Sequence, residues 1–144
     1  MIRKVDSMVT GFNHIGICVH SIDKTFAWMK NTMGAELISK TAYPDRNQVS
    51  AIVVLPDGLS KFELMEPIGN EGTVASFLSK KGEGIHHVSL KINDLEETCT
   101  CFMDSGNQII GKTNGLAFIH PKTSGGVLYE LSDGTFGKSS PDSN

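Results

Sequence analysis

The sequence predicts an α+β domain made twice over: two βαβββ modules whose strands form a cupped mixed sheet. Three observations predict it. A segment repeats at an offset of 73 residues, each copy opens with a strand pattern followed by a helix pattern, and each copy ends on a glutamate inside an apolar strand. Setting NHIGICVHSIDKTFAWM (13–29) over HHVSLKINDLEETCTCF (86–102) places His14 on His87, Ile15 on Val88, Ile17 on Leu90 and Val19 on Ile92. Ile22 then falls on Leu95 and Met29 on Phe102. The closing strands, SKFELMEP (60–67) and VLYELSDG (127–134), carry Glu63 and Glu130.

Each element follows from local chemistry. The first strand is expected near 11–19 and its helix near 22–33, with Ser21 as the N-cap. Strands follow near 35–41, 48–55 and 60–66, with PDG (56–58) turning the chain before the last. TVASFLSKKG has a threonine start, apolar Val74, Phe77 and Leu78, and a glycine stop at Gly82, which predicts a short linking helix. The second module repeats the order: strand 86–92, helix 95–104, then strands near 107–112, 115–120 and 127–132. Asp94 and Glu97 have the spacing of a capping box, and TNG (113–115) and KTSGG (122–126) supply turns. The organisation is one domain over 11–133, with modules at 11–66 and 85–133 and flexible ends at 1–10 and 134–144. Trp28, in a helix with Phe26 and Met29, reads as core.

Composition limits the function. The chain has 144 residues, 39% hydrophobic and 20% charged, which suits a globular domain with a real core. A net charge of −3 offers no basic face for nucleic acid or a membrane surface. No apolar run reaches the ~20 residues of a membrane span, and the N-terminus lacks a signal-peptide core. Cys18, Cys99 and Cys101 are odd in number and lack the C-x-x-C spacing, so they read as buried hydrophobes of a reducing, cytoplasmic compartment.

Strand parity selects a set of candidate ligands. Successive side chains point to opposite faces. With Ile15, Ile17 and Val19 on one face of the first strand, His14, Gly16 and Cys18 share the other. In the second module Val88, Leu90 and Ile92 match the apolar face, so His87 takes the His14 position and His86 goes to the core or the edge. Glu63 and Glu130 fall on the more polar face of the closing strands by the same rule. A buried carboxylate without a cation is costly. Two histidines and two carboxylates on that face form a donor set suited to one divalent ion. His20 and His120, at strand ends, read as turn or surface residues, and Lys80 and Lys81 as a solvated helix end.

The motifs NHIGICV, FELMEP, GEGIHHVSLKIND and AFIHPKTSGGVLYEL resemble the vicinal oxygen chelate superfamily, the glyoxalase fold, and within it the methylmalonyl-CoA epimerases, over residues 11–133. The resemblance implies the metal ligands His14, Glu63, His87 and Glu130, and one divalent ion such as Co, Ni, Mn or Zn. It implies an acyl-CoA substrate, a homodimer, and an isomerase that moves an α-proton through a metal-stabilised enolate, with Glu130 handling the proton. Two His and two Glu leave about two positions of an octahedral ion for a substrate that chelates through neighbouring oxygens. The chain departs from the family in two places. The second acid of some members aligns near Ser50 and Ala51, neither of which is acidic, and Asp45 and Glu36 are the nearest carboxylates. The connection before AFIHP is short, only Gly111–Gly115. Three other readings stand beside the epimerase: a lactoylglutathione lyase (glyoxalase I) type isomerase, an iron dioxygenase, and a metal-free binding protein. A dioxygenase would keep open the position that Glu63 fills, and a metal-free binding protein needs no complete ligand set.

Overall fold

The computed structural model describes residues 8–136. Of the ends expected to be flexible, 1–7 and 137–144 lie outside the described residues, while Val9 and Thr10 belong to the first strand and Met8 is buried. In chain order the elements are β1 (Val9–Cys18), α1 (Ile22–Met33), β2 (Glu36–Tyr43), β3 (Gln48–Val54), β4 (Lys61–Pro67), α2 (Thr73–Lys81), β5 (Gly84–Ile92), α3 (Leu95–Asp104), β6 (Ile109–Thr113), β7 (Leu116–Ile119) and β8 (Tyr129–Ser132). The βαβββ order therefore occurs twice, with α2 between the copies, and both α1 and α3 have the expected bounds. The fold is α+β with a mixed arrangement of eight strands among the described residues. The chain divides into two compact units, His14–His87 and a second made of residues 8–13 and 88–136. Strands β1 and β5 each contribute to both.

In the first unit the strands stand in the order β2-β3-β4-β1. β1 runs parallel to β4, pairing Ile15 with Phe62, Gly16 with Glu63, Ile17 with Leu64 and Cys18 with Met65. β3 is antiparallel to both β4 and β2. One sheet face gathers Val19, Ala51, Val53 and Leu64 under Ile22 and Met29 of α1. The other places Cys18 and Met65 under Val74 and Leu78 of α2. Fully burying a side chain such as Leu64 stabilises by about 1.5–3 kcal/mol. Helix α1 starts where Ser21 Oγ accepts the Lys24 N–H and Glu66 Oε1 accepts the Ile22 N–H, so two of the orphan donors of its first turn have partners. It stops at Gly34, whose φ of 72° closes the last turn. Trp28 is the element read wrongly from sequence. Ile22, Phe26 and Met29 recur at helical spacing and turn inward, which leaves Trp28 57% exposed.

The second unit has the strand order β5-β8-β7-β6. β5 is parallel to β8, pairing Val88 with Tyr129, Ser89 with Glu130, Leu90 with Leu131 and Lys91 with Ser132. Its core joins Ile92, Ala117, Ile119 and Leu131 to Leu95 and Cys99 of α3. Asp94 caps α3 by accepting the Glu97 N–H at 2.8 Å. Strand β1 begins at Val9, ahead of the expected start, and Met8 is buried with its carbonyl accepting the Asn93 N–H. The short Gly111–Gly115 connection is mostly strand. Thr113 pairs with Leu116, so Asn114 and Gly115 alone make the hairpin turn. A Cβ on Gly115 would lie 2.5 Å from Thr135 Oγ1, which requires glycine there. All three cysteines are free and buried. No helix among the described residues is long and apolar enough to cross a membrane.

Candidate metal centre

Register fixes which residues share a face. In β1 and β4, Gly16 stands opposite Glu63, so His14, Gly16 and Cys18 lie on the Glu63 side, and Ile15 and Ile17 lie with Phe62 and Leu64 on the other. In the second unit Ser89 stands opposite Glu130 while Leu90 pairs with Leu131 in the core. Counting back along β5 returns His87 to the Ser89 side.

Three of the four candidate ligands meet in the first unit. His14 Nε2 lies 3.1 Å from His87 Nε2. Glu63 Oε1 lies 3.4 Å from the first of these nitrogens and 3.3 Å from the second. Ligand atoms about 2.0–2.2 Å from one ion stand about 2.8–3.6 Å apart in octahedral or tetrahedral geometry. The two imidazole nitrogens and the carboxylate oxygen form a near-equilateral triangle of that size, and their N/O chemistry fits a divalent transition ion. His87 is 4% exposed. Its ring crosses β1 above Gly16, where an added Cβ would fall 2.1 Å from His87 Cε1. Gly16 is therefore the residue that lets His87 into the triangle.

Electrostatics separate ligand from bystander. Burial acts against the Glu63 charge, but hydrogen bonds from His14 and His87, together with their positive charge, outweigh it and hold the carboxyl well below the usual range. Cys18 shares the same face, yet burial, and then the Glu63 charge, push its thiol up to about 11. It stays protonated and is not a nucleophile. Burial, and then the His87 charge, bring His86 down to about 4 against the opposing pull of Glu63. That ring is a neutral neighbour of the triangle.

Glu130 is 7% exposed and accepts a hydrogen bond from Ser89 Oγ at 2.7 Å. The position of the second acid is resolved by register. Ala51 faces the core, opposite Leu64, whereas Ile52 stands opposite Glu63, which places Ser50 on the Glu63 side. Ser50 is buried there and accepts from Gln48 Nε2 at 3.0 Å. Asp45, in a short 3-10 turn, and Glu36, at the start of the edge strand, are exposed. His120 accepts the Lys122 N–H in a turn, and His20 offers its own N–H to Glu83, as expected of residues outside the site.

Sequence reasoning missed three contributors. Gly16 was read for the face it shares with His14, but its clearance for a ring arriving from another strand has no sequence signal. Ser89 follows His87 by two residues and so shares its face, but its bond to Glu130 has no sequence signal. His86 was sent to the core or the edge, yet its Nδ1 lies 2.9 Å from His87 Nδ1, and its ring packs edge-on against Phe77 of α2. Beside them a groove of about 540 Å³ is lined by Thr73, Ser76, Phe77, Lys80, Lys81 and His86, among others.

A family model, the Glyoxalase/Bleomycin resistance protein/Dioxygenase superfamily, matches residues 13–117. The ethylmalonyl-CoA/methylmalonyl-CoA epimerase of Cereibacter sphaeroides is 30% identical over 133 residues, covering 86% of this chain and 98% of that one. The methylmalonyl-CoA epimerase of Mycobacterium tuberculosis superposes with a TM-score of 0.80 at 30% identity, over 92% of this chain and 91% of its own. That of Streptomyces coelicolor, in complex with 2-nitronate-propionyl-CoA, does so with a TM-score of 0.75 at 28% identity, over 85% and 96%. The chain belongs to the Glyoxalase/Bleomycin resistance protein/Dioxygenase superfamily, among relatives that are methylmalonyl-CoA epimerases.

Proposed function

We propose that this chain is a metal-dependent epimerase acting on the α-carbon of an acyl-CoA thioester, with methylmalonyl-CoA as the first substrate to test. The observation that carries the reading is the His14–Glu63–His87 triangle, whose edges of 3.1, 3.4 and 3.3 Å suit one divalent ion. Glu130, from the matching register position of the second module, is the proposed fourth ligand. An ion held by these residues would supply Lewis-acid polarisation of the thioester carbonyl, which would ease loss of the α-proton.

The side chains divide the remaining work. Glu63, held strongly ionised, is a good ligand and a weak base. Glu130 is the carboxylate proposed to take the α-proton, and the Ser89 hydroxyl orients it. On the β3 side the sheet offers Gln48 and Ser50, neither of which titrates in the working range. A return of the proton to the opposite face of the substrate therefore needs a group other than those two. Lys80 and Lys81, along the groove beside His86, are suited to the phosphates of a CoA tail. The proposed setting is a homodimer in the cytoplasm.

The uncharged Gln48–Ser50 pair favours a second reading, a glyoxalase I type isomerase that moves a proton within a hemithioacetal. One experiment separates the two. The protein is incubated in deuterated water with methylmalonyl-CoA, other acyl-CoAs, or the hemithioacetal of methylglyoxal and glutathione, and exchange and epimer ratio are followed in the same sample. Exchange with loss of stereochemistry on an acyl-CoA is the expected result. Exchange without epimerisation identifies a one-face enzyme, and turnover of the hemithioacetal alone overturns the epimerase reading.

A further inference from the structure

His86 is not a member of the triangle, yet it touches one of its corners, His87. His87 turns Nε2 toward His14 and Glu63 and Nδ1 toward His86, with the two Nδ1 atoms 2.9 Å apart and the rings nearly perpendicular at 89°. An imidazole that gives one nitrogen to a cation must carry its proton on the other, and an acceptor there sets ring orientation and raises ligand basicity.

We propose that His86 is a positioning residue for His87, accepting the His87 Nδ1 proton whenever Nε2 binds the ion. The inference rests on reading His87 as a ligand through Nε2. The paired rings admit two proton arrangements. In one, His87 carries its proton on Nε2, against Glu63, and His86 donates from Nδ1. In the other, His87 donates from Nδ1, His86 accepts, and His86 carries its own proton on Nε2. Only the second leaves His87 Nε2 open to a cation, so ion binding selects it. The His86 ring is held for this by the Phe77 edge, with centroids 5.3 Å apart at 75°. Lys81 lies over the other ring system of the stack, 5.6 Å from the Phe77 centroid. Helix α2 thereby fixes the acceptor that fixes the ligand.

The test uses Zn²⁺ alone as the probe. Zn²⁺ is titrated into metal-free wild type, His86→Phe, His86→Asn and His87→Ala, and the imidazole nitrogens of the Zn²⁺-loaded wild type are read by ¹⁵N NMR. His86→Phe keeps an aromatic ring against Phe77 and removes the acceptor. His86→Asn restores an acceptor oxygen at the Nδ1 position. Expected are a loss of about 10–100-fold in affinity for His86→Phe, recovery of most of it in His86→Asn, and a wild-type spectrum with Nδ1 protonated on His87 and bare on His86. An unchanged affinity in His86→Phe, while His87→Ala abolishes binding, overturns the positioning role and leaves the metal reading standing. A wild type that binds no Zn²⁺ overturns both. The wild-type spectrum also decides the matter if His86→Phe fails to fold, since a proton on His86 Nδ1 in the loaded protein contradicts the inference.

Discussion

The two modules put a glutamate at the same register and surround it differently. Opposite Glu63 on the neighbouring parallel strand stands Gly16, and opposite Glu130 stands Ser89. The glycine leaves a gap that the His87 ring fills, so Glu63 acquires two imidazole partners. The serine fills its own position and gives Glu130 a hydroxyl donor at 2.7 Å. The strand register was copied and the residue opposite the glutamate was not. A carboxylate against two imidazoles is held as an anion, which suits coordination. A hydroxyl donor at hydrogen-bond distance orients a carboxylate, which suits the proton-handling role proposed for Glu130. The missing Cβ at Gly16 is what admits the His87 ring beside Glu63.

The largest expected effect tests that division of roles. Glu130→Gln removes the base while keeping an oxygen that can ligate, and α-proton exchange on the acyl-CoA should fall by at least ~10²–10⁴-fold. Full exchange in that variant would take Glu130 out of the chemistry.

Next comes the shared scaffold. Leu64 and Leu131 are the fully buried residues that follow the two glutamates, each in the core of its own unit. Leu64→Ala and Leu131→Ala should each cost about 2–5 kcal/mol in chemical denaturation. A marked inequality would show that the modules are matched in register but not in packing.

Smaller effects are expected from the two residues opposite the glutamates. Gly16→Ala places a methyl on the His87 ring and should cost about 1–3 kcal/mol by overpacking, with metal affinity falling as the ring is displaced. Ser89→Ala removes the donor of a buried acceptor and should cost about 1–3 kcal/mol, while metal affinity stays closer to wild type. Calorimetric stability and Zn²⁺ affinity measured on both variants separate these patterns. Equal losses of affinity would mean that Ser89 supports ion binding as directly as Gly16 does.

Much of this was legible in the sequence. Period-2 alternation around His14, Glu63, His87 and Glu130 fixed their faces, because the apolar residues that alternate with them pack into the cores under α1 and α3. Capping residues fixed the helix starts at Ser21 and Asp94. Contacts between separate strands and turns were harder. Nothing in the chain signals that His87 would lie over Gly16, or that Glu66, three residues past Glu63, would cap α1 instead of joining the site. Trp28 was misplaced because its hydrophobicity outweighed its phase on the helix. Ser50 and Ala51 could not be ranked until the pairing of β3 with β4 placed one on each face.

The claim that both glutamates serve one ion is tested most directly by titrating Co²⁺ into metal-free wild type, Glu63→Ala and Glu130→Ala, followed by the visible absorption of the bound ion. The account predicts one ion per chain in the wild type, with weakened binding and a changed spectrum in both variants. Binding lost in Glu63→Ala but unaltered in affinity and spectrum in Glu130→Ala would contradict it, leaving a three-residue centre of His14, Glu63 and His87.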